Sequence, residues 1–178
     1  MDKTSDKANR KGRKTSQRGT TPPRLSRLRQ PAELTVDDWQ RELRRQYGRE
    51  QRFGFENLGD DPVFSEFAVY NPDSRRRYRV VIRGDQPGDN RCSCPDFSTN
   101  DLGTCKHIEF TLAQIGTRPD GRQALAAGFQ GAFSELFLDY AGQRRVRLRP
   151  GCDLLPAAYE LFDRDAGWQL PSERFVDL

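Results

Sequence analysis

What is scarce in this chain of 178 residues narrows its chemistry: it has one histidine, one methionine, four cysteines and a hydrophobic fraction of only 34%. No apolar run approaches the roughly 20 residues that a membrane-spanning helix needs. The opening stretch, MDKTSDKANRKGRKTSQRGTTPPR, is charged and has no apolar segment behind it, so it does not read as a secretory leader. The expected setting is the cytoplasm, with the nucleoid as a possible site of association. Thiols stay reduced there, and clustered cysteines point to metal rather than disulfides. The chain also lacks a G-x-x-x-x-G-K-[ST] loop and acidic motor motifs, which excludes ATP hydrolysis by that route. No spacing singles out a carboxylate cluster suited to nuclease chemistry. The chain is therefore expected not to be an enzyme by itself, to take no small-molecule substrate and to bind no membrane.

Charge is unevenly spread. Residues 1–32 carry ten Lys/Arg against Asp2 and Asp6, a net +8, whereas the other 146 residues carry 20 basic and 24 acidic groups, a net −4. The first 32 residues have no apolar periodicity and read as a disordered basic tail. Lys3, Lys7, Arg10, Lys11, Arg13, Lys14 and Arg18 are its candidate phosphate contacts, and DNA is the expected partner.

Four segments are expected: the tail (1–32), an N-terminal helix and connector (33–61), a metal-binding module (62–117) and a closing β-hairpin with a short helix (118–178). In LTVDDWQRELRRQYG, Thr35 and Asp38 resemble a capping box. Trp39, Leu43 and Tyr47 form an apolar stripe, and Gly48 suits a helix stop. In VFSEFAVYNPDSRRRYRVVIRG, two β-rich runs flank the turn chemistry of Asn71-Pro72-Asp73-Ser74, predicting a hairpin. Arg75, Arg77, Arg79 and Arg83 fall on one face of its second strand, with Tyr78, Val80 and Ile82 on the other. That arginine face either tracks phosphates or is the wet side of a half-buried sheet. The spacing of Ile108, Leu112 and Ile115 predicts a helix ending at Gly116, followed by a polar connector, TRPDGRQ. A second hairpin is expected over FSELFLDYAGQRRVRLRP, and a short helix within 153–163.

Three of the four cysteines and the only histidine fall within the sixteen residues CSCPDFSTNDLGTCKH. Cys92 and Cys94 form a Cys-x-Cys pair. In an extended strand such a pair points to one face, with Cα atoms about 6.6 Å apart. Cys105 and His107 form a Cys-x-His pair, which fails inside a helix, where the two residues lie about 200° apart. It works if Cys105 sits at the helix start and His107 in the first turn. Gly103 supplies the sharp turn and Thr104 a cap, and the positive helix end favours a thiolate at Cys105. Three thiolates and one imidazole fill a tetrahedron and leave no place for water, which is the arrangement of one structural zinc ion. A Cys92–Cys94 disulfide would be strained. A cysteine–histidine nucleophile pair would leave two cysteines unexplained, and an iron–sulfur cluster usually takes a fourth cysteine, whereas Cys152 is distant in sequence. Asp96, Asp101 and Glu109 lie near the metal with no bound water to activate. Cys152 reads as a buried small hydrophobe.

The pattern Cys92-x-Cys94, Pro95-Asp96-Phe97 and then Cys105-Lys106-His107 leading into a helix resembles the SWIM zinc finger. The resemblance implies a small zinc-stabilised β-β-α module, which with the hairpin/helix segment and the basic tail read above makes an α+β fold. It carries the four ligands onto Cys92, Cys94, Cys105 and His107. A longer resemblance, over 62–178, is to the region ahead of the motor in bacterial Swi/Snf-type helicase-like ATPases. It implies a DNA-binding or targeting accessory of such a motor, acting in cis or in trans. The rival is a protein–protein interaction adaptor with a solubilising tail.

Overall fold

The computed structural model describes residues 24–177. The seven tail cations from Lys3 to Arg18, and the disorder expected of them, lie outside the described residues. The fold is α+β. Its first helix, α1, spans Val36–Glu50 with Thr35 as N-cap. Thr35 Oγ1 accepts from Asp38 N–H at 3.1 Å and donates to Asp38 Oδ2 at 2.7 Å, so one orphan donor of the first turn is satisfied. Gly48 does not end this helix. It lies where α1 crosses its neighbour, and a Cβ there would sit 2.7 Å from the backbone nitrogen of Phe110. Close packing, not termination, is the reason for glycine at 48.

Residues 24–32 correct the expected extent of the tail, because they are held against α1. Leu25 N–H donates to Gln46 Oε1 at 2.6 Å, and the Trp39 indole N–H donates to Ser26 O at 3.1 Å. Arg24 pairs with Glu50 at 2.9 Å, and the Arg27 guanidinium lies 5.3 Å from the Tyr47 ring centroid. The polar composition of this segment conceals its order, because its hydrogen-bond partners belong to a helix that comes later in the chain. Trp39, Leu43 and Tyr47 are half buried, while Gln46, which binds Leu25, is buried.

Four antiparallel strands follow in spatial order: β1 (Gly54–Asn57), β2 (Glu66–Tyr70), β3 (Arg77–Val81) and β4 (Arg91–Cys92). The register pairs Phe67 with Val80 and Val69 with Tyr78, which places their side chains on one face. Helix α3 (Lys106–Gly116) lies on that face, with α1 on its far side. Sandwiched between sheet and helix, α3 buries His107, Ile108, Glu109, Phe110, Thr111 and Ile115, more of its circumference than a one-sided stripe requires. β1 arises in what read as a connector and joins the finger's sheet, so a boundary at 61/62 does not separate two folding units.

Two further expectations are corrected. The polar connector after Gly116 is mostly helix α4 (Pro119–Ala127), with proline in its first turn, where a missing N–H costs nothing. The four-arginine face contracts to Arg77 and Arg79. Arg75 sits in the turn with φ +54, and Arg83 lies beyond the strand, with its guanidinium 4.8 Å from the Phe129 centroid.

The closing segment contains the expected hairpin of β5 (Glu135–Asp139) and β6 (Arg145–Arg149), then the short helix α5 (Ala158–Leu161) and a 3-10 turn at Ser172–Asp177. Leu148, Phe162 and Leu170 form a second small cluster here. Gly142 N–H to Asp101 O at 2.6 Å and Arg149 Nη2 to Asp89 O at 2.8 Å tie the hairpin to the finger. Cys152 is exposed, not buried: it follows Pro150-Gly151 in a turn outside both clusters. Among the described residues, no helix is long and apolar enough to cross a membrane.

Candidate metal centre

Each half of the ligand set is positioned by the end of an element. Cys92 closes β4, paired with Val80 across the strands, and Cys94 is the N-cap of the short helix α2 (Pro95–Thr99). The loop that turns the chain into β4 is organised by Asn90, which is buried with both its amide oxygen and its amide nitrogen bonded to backbone. Its Oδ1 accepts from Arg83 N–H at 2.7 Å and Gly84 N–H at 3.2 Å, and its Nδ2 donates to Gly84 O at 3.0 Å. Cys105 is the N-cap of α3 and His107 stands in its first turn, as the i, i+2 geometry requires. Gly103 makes the turn ahead of them with φ +70, and a Cβ there would fall 2.6 Å from the Gly88 backbone nitrogen. Thr104 does not cap α3: its hydroxyl donates to Glu109 Oε1 at 2.7 Å.

The four side chains converge. Their ligand atoms all lie within 4.8 Å of one another, with Cys92 Sγ 3.8 Å from His107 Nδ1. Zn–S bonds of about 2.3 Å in a tetrahedron put sulfur atoms about 3.8 Å apart, so the cluster has the scale of one ion. All four residues are buried, at 7%, 1%, 0% and 4% exposure for Cys92, Cys94, Cys105 and His107. The imidazole is held between two rings, with centroids 5.3 Å away for Phe53 and 4.7 Å for Tyr78.

The thiols themselves call for a cation. Hydrogen bonds from Cys105 and then Cys92 hold Cys94 far below the usual thiol range. Burial, followed by its bonds to the other two, pushes Cys105 well above it. The bond from Cys105 would lower Cys92, but the bond to Cys94 and burial outweigh it, so Cys92 is also raised. A divalent ion would let all three thiols ionise in a buried site. The donor set fits one structural zinc ion held by Cys92, Cys94, Cys105 and His107.

Around the ligands stands a shell that residue spacing did not reveal. Three arginines of α1 reach three elements around the metal: the loop before Cys105, the helix α2 and the helix α3. Arg41 Nε donates to Leu102 O at 3.0 Å, and Arg44 forks onto both Asp96 oxygens at 3.2 and 2.7 Å. Arg45 Nε lies 3.5 Å from Glu109 Oε2. Burial, its largest influence, raises the Glu109 carboxyl despite the Thr104 hydroxyl and Arg45. The acidic residues near the metal thus have partners: Asp96 and Glu109 bind α1, and Asp101 lies 3.6 Å from Arg144. The only available signal was the run Arg41, Arg44, Arg45 at helical spacing, which by itself reads as a solvated face.

The candidate nucleic-acid residues on the hairpin are not brought to this site. Arg77 pairs with Glu56 at 2.7 Å, and Arg79 forks onto Glu66 across the strands, which holds the Glu66 carboxyl below its ordinary range. Arg75 stands apart in the turn.

A family model described as SWIM zinc finger matches residues 78–116, from Tyr78 in β3 to the last residue of α3. That span contains all four ligands. No curated protein and no solved structure matches the chain.

Proposed function

We propose that this protein is a non-catalytic, zinc-stapled binding module that contacts DNA through its basic N-terminal region. In this reading it serves a Swi/Snf-type helicase-like ATPase, as the front piece of the motor chain or as a separate subunit. The observation that carries the reading is the closed metal centre: four protein ligands, all buried, bind metal to shape the chain and leave no position for an activated water. Charge then selects the DNA-contacting region. On the hairpin, Arg77 and Arg79 are matched by Glu56 and Glu66, whereas residues 1–23 carry seven Lys/Arg against Asp2 and Asp6, a net +5. Attraction to phosphate of this kind is independent of sequence. Support for the motor partner is the resemblance of residues 62–178 to the region ahead of such motors.

The test is duplex-DNA binding at two salt concentrations, for the full chain and for one beginning at Arg24, which keeps the Leu25–Gln46 contacts. Each phosphate neutralised steepens the fall of log affinity with log salt by about 0.9. The full chain is expected to show a slope worth several contacts and the shortened chain a much weaker one. Equal affinity and equal slope would eliminate the basic region as the DNA contact. ATP turnover by the isolated chain, surviving further purification, would overturn the non-catalytic reading. A change in the motor's ATPase rate or DNA affinity on mixing would support the partnership.

The adaptor reading has its own observation. Phe133, Leu136 and Leu155 are 77%, 51% and 69% exposed in the closing segment, apolar surface that a partner protein could cover. Under that reading, both versions of the chain bind DNA equally weakly.

A further inference from the structure

An aromatic pair after α5 is used neither by the zinc centre nor by the proposed DNA contact. Asp163 and Gln169 exchange backbone hydrogen bonds at 2.8 and 3.0 Å, closing a loop over residues 164–168. At its end Trp168 adopts φ +61, a left-handed conformation that is costly for a bulky side chain. In this conformation the indole stands against Tyr159, with centroids 5.3 Å apart and planes at 64°. Together with Phe162, Asp163 and Asp165, the two rings line a hollow of about 590 Å³. One wall is fixed in advance, because Phe162 is buried in the second cluster. A cation already rests on the rings: the Arg164 guanidinium lies 5.1 Å from the Tyr159 centroid and 5.4 Å from that of Trp168.

We propose that this hollow is a receptor for the side chain of an arginine or lysine presented by a basic segment of a partner protein, with Arg164 holding the place until the partner arrives. Two aromatic faces attract a cation through their quadrupoles, and the attraction grows as water is displaced. Charge favours the same occupant. Residues 150–178 carry Arg164 and Arg174 against Asp153, Glu160, Asp163, Asp165, Glu173 and Asp177, a net −4. Arg164 sits at the start of an exposed loop and can leave the rings by side-chain rotation alone. Backbone bonds hold Trp168 in this conformation, its carbonyl accepting from Leu148 N–H at 2.9 Å, and its indole packs on the second cluster, so little ordering is left for binding to do.

The experiment uses the full, zinc-loaded chain, which has two tryptophans. Trp39, whose indole N–H is bonded to Ser26 O, serves as the internal reference. Acetyl-Arg-Gly-Arg-amide is titrated while both indole N–H resonances are followed, with acetyl-Glu-Gly-Glu-amide as the control. The expected result is a saturable shift of Trp168 alone, seen only with the cationic peptide. Arg164→Ala should bind about fivefold more tightly, since one exposed cation–π contact no longer competes. Tyr159→Ala should abolish the shift while Trp39 and zinc content stay unchanged, which separates loss of the site from loss of the fold. No saturable shift, or an Arg164→Ala chain that binds no more tightly, overturns the proposal. So does a Trp168 resonance in the peptide-free chain that moves when salt is raised but is unresponsive in a chain beginning at Arg24. That result would name the chain's own basic segment as the occupant.

Discussion

The two apolar clusters among the described residues are held together in unlike ways. The finger cluster joins thirteen buried residues, three of them zinc-ligating cysteines, across a sheet and a helix. The closing segment buries Leu148, Phe162 and Leu170. Its β5–β6 hairpin is tied down by charge and rings: Arg149 pairs with Glu135 at 2.7 Å and stacks 4.4 Å from the Phe137 centroid, and Arg147 pairs with Asp139 at 3.0 Å. A core this small cannot outweigh the entropy of ordering its chain unless something is added. One region adds a metal. The other adds cation–π contacts, ion pairs and the neighbouring finger as a wall.

The largest effect follows from zinc. Metal binding in small sites of this kind is worth about 10–16 kcal/mol at neutral pH, and that free energy is folding free energy. Chelation, or Cys105→Ala, is expected to unfold the sheet and α3, which circular dichroism and the loss of buried-amide protection would report. Acid should act in the same direction. The ligands are bound as thiolates, so protons compete with the metal, and zinc is released as pH falls and retained as it rises. Elemental analysis showing no zinc after refolding with the metal would defeat the contrast at its root.

Leu148→Ala probes the other side. Truncating a buried leucine costs about 2–5 kcal/mol, and the lower end is expected in so small a cluster. The closing segment should melt earlier while zinc stoichiometry stays at one. If the variant also loses zinc, the two clusters form one cooperative unit and the contrast between them fails.

Gly48→Ala tests how closely α1 must approach α3. The new methyl meets backbone at Phe110, which cannot rotate away, so overpacking of about 1–3 kcal/mol should exceed the helix propensity gained, about 1 kcal/mol. The melting temperature of the zinc-loaded chain is the measurement, and a rise would show that the helices can part. The smallest effect is expected for Arg79→Ala. Its exposed pair with Glu66 contributes little, and the salt slope for DNA should not change. A slope lowered by one contact would return the hairpin arginines to the DNA surface.

Local patterns accounted for the two hairpins, the start of α1 and the span of α3, because turn chemistry, capping and periodicity act within a few residues. They missed β1, because Gly54–Asn57 is a strand only by pairing with β2. They missed α4, because its packing face, Gly121, Ala124 and Leu125, is short and made mostly of small residues that give a weak stripe. Cys152 was misplaced because rarity and chemical softness say nothing about which cluster a turn residue adjoins.

The sequence by itself determined the metal and its four ligands. Chelation needs two short spacings, Cys-x-Cys and Cys-x-His, and each admits one backbone geometry: a strand end for the first and a helix start for the second. Tertiary structure alone decided what the charges do. An arginine on a strand or helix has the same local signature whether it meets phosphate, solvent or a carboxylate. Only folding brought Arg44 to Asp96, Arg45 to Glu109 and Arg77 to Glu56. These pairs join residues far apart in the chain, and no local rule of spacing reaches that distance.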